Sequence, residues 1–446
     1  MTGPSFTTPA LQEILCLHAR SPITLGGART SDMPTDVPDD VVPPNARKTL
    51  PFPIVPVLFL TGIFYLNFTA RVIFSPLLPL LERELALTHG EAGSLFLLIQ
   101  LGYCAGLLGS GFVSWRLNHR RTILLSSLTP GVLLLILSRS TTLAGMRAGL
   151  LLFGAAAGLY LPSGIATLTA EVPREHWGKA LAIHELAPNL GYISAPLLAE
   201  ALLRLLPWRG VLTVPAALTI LMGICFLVLG RGVGHRSELP SFATVIQIVR
   251  DPSVWVLASL FSVGVGSTLG VYSMMPLFLV NEIRMERELA NTIVGLSRIP
   301  GIVVIFFSGL LVDRVGYRMA LAVFLAITGT LTLLLGVVHG RVATAVLVFL
   351  QSTSAGWFFP AAFSMISTIF PPRFRNLAVS LVTVAGSLLG AGVIPSAIGY
   401  LAELSSFSAG FIALGALTLA TLPLLLSGRA STGVGDMSSR AGNRER

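Results

Sequence analysis

Gly309-Leu310-Leu311-Val312-Asp313-Arg314-Val315-Gly316-Tyr317-Arg318 lies between two long apolar runs, which makes it a short charged turn between two candidate membrane helices. A looser version, Gly111-Phe112-Val113-Ser114-Trp115-Arg116-Leu117-Asn118-His119-Arg120, occupies the same kind of place earlier in the chain. Gly111 and Gly309, Arg116 and Arg314, and Arg120 and Arg318 are each 198 positions apart. A turn that recurs at a fixed offset between apolar runs marks an internally duplicated chain. The second copy is complete, whereas the first has Trp115 in place of the acid and Asn118 in place of the second glycine.

Composition agrees with this reading. Of 446 residues, 53% are hydrophobic and 11% charged, with a mean hydropathy of +0.79. Soluble domains carry roughly 25% charged residues, so the chain is a polytopic membrane protein. The net charge of +9 and pI near 10.1 raise the question of nucleic acid. The basic residues lie instead in short loops between apolar runs, and neither tail is densely basic, so no nucleic-acid partner is expected. Cys16, Cys104 and Cys225 form no metal or redox spacing. There is no G-x-x-x-x-G-K-[ST], no H-E-x-x-H and no G-x-S-x-G. Neither ATP hydrolysis, enzymatic chemistry, a metal nor a cofactor is therefore expected.

A membrane span needs about 20 mostly apolar residues. That length predicts twelve helices, over 53–80, 91–113, 121–138, 143–169, 178–203, 209–230, 253–280, 290–312, 318–337, 341–369, 376–401 and 405–428. Residues 1–50, rich in Pro, Ser, Thr and Asp, read as a disordered tail in which Met33 is a second candidate start. A polar linker, 231–252, separates six-helix bundles at 51–230 and 253–428, and 429–446 form a short C-terminal tail. No secretory leader is expected, because the first long apolar run begins only after about fifty polar residues. Arg116, Arg120, Arg121, Arg174, Lys179, Arg314 and Arg318 collect in loops on one side, which places both termini in the cytoplasm by the positive-inside rule. The expected location is the plasma membrane, or the inner membrane of a Gram-negative cell.

The repeat reaches beyond the loops. Gly158-Leu-Tyr-Leu-Pro162 matches Gly356-Trp-Phe-Phe-Pro360, and Pro173 matches Pro371, again at 198. The pattern G-x-x-x-D-R-x-G-x-R between the second and third helix of each half resembles the signature of the major facilitator superfamily, over about residues 52–428. That resemblance implies an all-α fold of two pseudo-symmetric six-helix bundles, with a substrate site near the membrane midplane between them. It also implies a gating role for Gly309, Asp313, Arg314, Gly316 and Arg318, and for Gly111, Arg116 and Arg120. The bland alternative is that these arginines only set topology.

Charged residues inside the spans are costly, and are functional or paired. Arg71 lies within the first helix and Arg298 within the eighth. An arginine in each half, facing one cavity, would hold a carboxylate or phosphate from two sides, and a cation in helix one with an arginine in helix eight is similar to the arrangement in monocarboxylate transporters. The structural alternative for Arg71 is a bridge to Glu185. His184 and Glu185 are candidates for carrying a coupling proton, and being adjacent they point about 100° apart on a helix. Asn67, Gln100, Tyr103, Tyr272, Gln351 and Trp357 are candidate substrate contacts. Small residues four apart, as in Gly102/Gly106/Ser110, Gly154/Gly158, Gly266/Gly270 and Gly386/Gly390, predict close helix packing. Pro76, Pro79, Pro162, Pro188, Pro196, Pro276, Pro300, Pro360 and Pro395 lie in spans and are expected to kink them.

These features predict a monomeric secondary transporter for a small molecule, working by alternating access in contact with membrane lipid. Protons are the favoured coupling ion and an organic anion the favoured substrate. The relaxed motif Gly191-x-x-x-Ala195-Pro196-x-x-Ala199 leaves a proton-coupled exporter of drugs or metabolites as the alternative. A non-transporting sensor or scaffold is a distant third.

Overall fold

A computed structural model describes residues 52–230, 242–370 and 372–426. The two tails, including Met33 and Cys16, lie outside the described residues, as does the first half of the polar linker, 231–241. The described part of the linker includes a short helix, Phe242–Val249. Among the described residues, eleven helices are long and apolar enough to cross a membrane, and none of those residues is in a strand. We number them α1 (Ile54–Leu85), α2 (His89–Leu117), α3 (His119–Leu137), α4 (Leu143–Glu171), α5 (Arg174–Leu203), α6 (Trp208–Leu229) and α7 (Pro252–Asn281). The remainder are α9 (Leu310–Val337), α10 (Arg341–Ile369), α11 (Leu377–Leu404) and α12 (Phe407–Leu425).

The expected eighth span is divided. Its first piece is Arg287–Leu296, and Ile299–Val337 then runs through both the second piece and α9. We call the two pieces up to Gly309 α8. The division falls at Ser297–Arg298, just before Pro300, whose ring clashes with the carbonyl four residues back and lacks a donor. The same rule breaks α1 at Ile73 before Pro76, α4 at Leu159 before Pro162 and α10 at Ala355–Trp357 before Pro360. The breaks in α4 and α10 share the 198-residue offset, so the duplication extends to helix kinks.

Side chains sort as a membrane bundle requires. Leu108, Phe112, Ile136, Leu152, Leu221 and Phe307 are all more than half exposed on the outer faces, where lipid would cover them. Within the bundle α2 and α4 pack nearly backbone to backbone. A Cβ built on Gly102 or Gly106 would meet a carbonyl of α4 at 2.0 Å, and one on Gly154 or Gly158 would meet a carbonyl of α2 at 2.1 or 2.2 Å. In the second half, α7 and α11 cross in the same manner. Gly266–Gly270 and Leu388–Val393 are both wide π-turns, and a Cβ on Gly390 would lie 2.5 Å from the Ser262 carbonyl.

The two signature turns share one backbone conformation. Gly316 has φ 78° and ψ 155°; Asn118, 198 residues earlier, has φ 73° and ψ 165°. Nothing lies within 4 Å of a Cβ built on Gly316, so glycine is there for its dihedral and not for space. Asn118 bears the strain of that region, and its Oδ1 accepts from the Arg121 backbone N–H at 3.0 Å as the cap of α3. Strain of this kind is about 1–3 kcal/mol, whereas exchanging an Asn cap for Gly loses only a few tenths. Asn118→Gly is therefore expected to raise the melting midpoint of the purified protein by a few degrees, read by differential scanning fluorimetry. A lower midpoint would show that the cap outweighs the strain.

Candidate functional site: two arginines between the halves

The halves meet at the end of the bundle remote from the signature turns. Asn281 of α7 donates to Glu82 of α1 at 3.1 Å, and Arg287 of α8 donates to Glu200 of α5 at 2.9 Å. Asn291 of α8 reaches both Glu200 at 2.5 Å and the Pro76 carbonyl at 3.1 Å. The Gly90 N–H of α2 donates to Glu403 of α11 at 2.7 Å. Four Arg–Glu ion pairs lie at this remote end: Arg147–Glu91, Arg204–Glu288, Arg209–Glu84 and Arg287–Glu200. Further in, the Ser75 hydroxyl donates to the Tyr272 and Ser273 carbonyls at 3.1 and 3.0 Å.

Below that seam sit the two intramembrane arginines, one per half. The Arg71 guanidinium lies 4.0 Å from the Tyr103 ring centre and 5.0 Å from Phe68. That of Arg298 lies 4.8 Å from Tyr192 and 5.0 Å from Tyr272, and donates to the Thr268 carbonyl at 2.9 Å. Thr268 belongs to the π-turn of α7. Neither arginine has an acidic partner among the described residues, so the bridge from Arg71 to Glu185, the structural alternative for that arginine, is not formed. Nε of each is shielded from solvent without a hydrogen-bond partner. A guanidinium at the middle of a span costs about 2.5–3.5 kcal/mol, and ring faces return only about 0.5–2 kcal/mol each. Two cations held this way lack a full set of donors' partners and a countercharge.

One aromatic chain joins them. Phe68 packs edge-on against Tyr192 at 4.8 Å, and Tyr192 against Tyr272 at 4.7 Å. Tyr192 lies within electrostatic reach of both guanidinium groups. The Tyr272 hydroxyl is committed to the Tyr192 carbonyl at 3.1 Å, while the buried Tyr192 hydroxyl has no partner. Tyr192, Phe68 and Thr268 escaped the sequence reading; the nearest signal was the small-residue stripe beginning at Gly191, which marks that face of α5 as a packing face.

Several other expected contacts have different surroundings. The Asn67 amide donates to the Ser126 and Ala157 carbonyls at 3.5 and 3.2 Å, tying α1 to α3 and α4. Gln351, fully buried, donates to the Ser267 carbonyl at 2.5 Å and to Thr332 at 3.4 Å within the second half. Both amides donate within their own halves, while Asn67 Oδ1 and Gln351 Oε1 are buried without a hydrogen-bond partner. Gln100 bonds Cys104 at 3.8 Å where α2 packs on Gly392 of α11. Trp357, with its Nε1 unpartnered, lines a groove between α9 and α10 beside Ile327 and Leu350. His184 is fully buried, stacked 4.6 Å from Phe64 and 3.2 Å from the Tyr160 hydroxyl, so it points into the first half. Its neighbour Glu185 is 60% exposed, with Tyr103 and Tyr160 in its electrostatic reach. The 100° between them resolves in favour of Glu185 as the open group.

At the signature turns, Asp313, Arg314, Gly316 and Arg318 are exposed, and Asp313 forms no ion pair among the described residues. Gly309 lies within the long helix, Gly111 is half-buried and Arg116 exposed. Arg120 donates to the Leu227 carbonyl in the last turn of α6 at 2.8 Å, a cation on a helix C-terminus.

Residues 57–339 and 270–436 match the family model described as Major Facilitator Superfamily. The chain belongs to the major facilitator superfamily. As a member, it is a multi-pass secondary transporter and not an enzyme. It is 29% identical over 357 residues to the cis,cis-muconate transport protein of Acinetobacter baylyi, covering 75% of this chain and 84% of that protein. A shorter similarity, 26% over 173 residues and 36% of this chain, links it to an MFS-type efflux pump of Mycolicibacterium smegmatis, of which it covers 39%. Among solved structures, a bacterial homologue of the human lysosomal transporter Spinster, in an inward-facing occupied conformation, superposes with a TM-score of 0.68 at 16% identity, covering 88% of this chain and 98% of that one. A nucleoside transporter gives a TM-score of 0.68 at 14% identity, over 83% of this chain and 99% of that one. At these identities the structural neighbours of this superfamily member speak to the fold alone.

Proposed function

We propose that this protein carries a small organic anion with carboxylate character across the plasma membrane by alternating access, coupled to protons. The observation that carries the reading is the pair Arg71 and Arg298, one from each half, both without an acidic partner among the described residues and both with an unpartnered Nε. Muconate is a dicarboxylate, so the similarity to a muconate transport protein supports the same class. Glu185, exposed and in the same half as Arg71, is the proposed coupling carboxylate. Glu185→Gln should abolish uptake driven by a pH gradient while sparing exchange of anion for anion; loss of both activities would remove that role.

With both termini cytoplasmic, the signature turns lie on the cytoplasmic side and the seam of Glu–Arg and Glu–Asn contacts closes the opposite side. The conformation is then inward-facing, and the monomer contains the whole pathway. Asp313 is free here because its partners engage when the cytoplasmic ends come together. Asp313→Asn is accordingly expected to slow transport about tenfold, while substitutions of Trp115, which has no acid to lose, leave it within about twofold. Equal tolerance at the two positions would reduce the turn to a topology signal. The anion reading itself is tested by melting the purified protein with carboxylates, phosphates, sugars and lipophilic cations. Carboxylates alone should raise the midpoint, by mass action on the bound state. Stabilisation by lipophilic cations instead would favour the efflux reading, which the short similarity to an efflux pump supports.

A further inference from the structure

We infer that the ligand of the Arg71–Arg298 site is a dianion, a short dicarboxylate with one carboxylate on each guanidinium, and that the Tyr192 hydroxyl is the contact that selects it. The inference rests on the anion reading above and narrows it.

Charge is the first argument. Each half contributes one guanidinium, and neither has an acid bonded to it among the described residues. Glu185, an acid of α5 within the first half's span, is two helical turns from Tyr192, and its Oε1 lies 3.8 Å from His184 Nδ1 and not on either arginine. A monoanion between the arginines would neutralise one and leave the other uncompensated in a site of low dielectric. A dianion neutralises both, and a buried charge left without its partner is the costly case.

Geometry is the second argument. Contacts of 5.0, 4.8 and 4.8 Å lead from Arg71 through Phe68 and Tyr192 to Arg298. Those three legs laid end to end are the upper limit on the distance between the two guanidinium carbons. With each carboxylate held at about 2.8 Å from its guanidinium, what is left is the most that a ligand has to span, and a chain of no more than about six carbons reaches across it. Longer fatty acids and single carboxylates on bulky rings do not meet both charges across that gap.

The third argument is the supply of donors. Arg71 Nε, Arg298 Nε and the Tyr192 hydroxyl are all shielded from solvent and all lack partners. Tyr192 lies within reach of both arginine charges, so its hydroxyl serves a ligand spanning them. Tyr272 is not equivalent, because its hydroxyl already holds the Tyr192 backbone carbonyl and fixes that residue across the seam between the halves. A ligand that bonds Arg71 of α1, Tyr192 of α5 and Arg298 of α8 ties the halves together, which a ligand on one arginine does not.

The test uses the full chain, purified, with calorimetric binding of cis,cis-muconate, adipate, adipate monomethyl ester and hexanoate. The two dicarboxylates should bind at least about 30-fold more tightly than the monoester and hexanoate, the range expected when one buried charge loses its partner. Monoanions binding as tightly as the dicarboxylates would overturn the dianion inference and leave the anion reading standing. No binding by any of the four would overturn the anion reading itself. In Arg298→Ala the preference for adipate over its monoester should collapse to within about threefold. Tyr192→Phe keeps the ring packing and should weaken adipate about tenfold with an unchanged melting midpoint. Adipate binding unchanged in Tyr192→Phe would remove the hydroxyl from the site.

Discussion

Arg71→Ala and Arg298→Ala are each expected to lower uptake of an organic anion into proteoliposomes by about 100-fold or more. Each guanidinium carries a formal charge within a span, beside a helix break, with aromatic faces and, for Arg298, one carbonyl to hold it. Removing one side of a buried charge-assisted pair costs about 2–5 kcal/mol, and each 1.4 kcal/mol is a factor of ten. Because neither arginine bonds an acid among the described residues, its removal strands no carboxylate, and the fold should survive. Lysine at either position should recover only part of the activity, since an ammonium keeps the charge without the planar fork or the stacking on Tyr103 or Tyr192. Two alanine variants that transport as well as the parent protein would contradict the assignment.

The second large effect concerns packing. Gly106→Ala is expected to lower the melting midpoint by several degrees and to depress transport, while Gly109→Ala, three residues on, is silent in both assays. A Cβ on Gly106 would lie 2.0 Å from the Ala155 carbonyl oxygen, so α2 and α4 must part to admit it. Overpacking of that kind costs about 1–3 kcal/mol or more, and the interface has no alternative filling because small residues face each other on both helices. Nothing lies within 4 Å of a Cβ on Gly109. The separation would also move Tyr103, whose carbonyl packs against Gly158 and whose ring covers Arg71. Equal behaviour of the two variants would show that the close approach is not limiting.

The residues explain why the fold was legible and much of the site was not. The duplicated turn, the paired prolines and the glycine stripes are local patterns with one physical meaning each, and they recur at a fixed offset. A charge in an apolar run is equally conspicuous, which is why Arg71 and Arg298 stood out. Asn67, Gln351 and His184 looked the same as cavity residues because a polar side chain in a helix shows its period but not its neighbour. Their carbonyl and ring partners lie 24 to 120 positions away in the chain. Tyr192 was silent for the opposite reason, since one aromatic residue among many in an apolar helix carries no charge to flag it. The divided eighth span was half legible: Pro300 predicts a break, but not that the helix then continues through Gly316 into α9. The equivalence of Asn118 and Gly316 was open to inference, because Asn tolerates positive φ better than other residues.

Uptake by proteoliposomes of the full-length protein, comparing a labelled dicarboxylate with a labelled lipophilic cation under an imposed pH gradient, tests the central claim most directly. The account predicts accumulation of the dicarboxylate that disappears in Arg71→Ala and Arg298→Ala, and no movement of the cation. Cation transport that depends on Glu185 and ignores both arginines, with no dicarboxylate uptake, would contradict it.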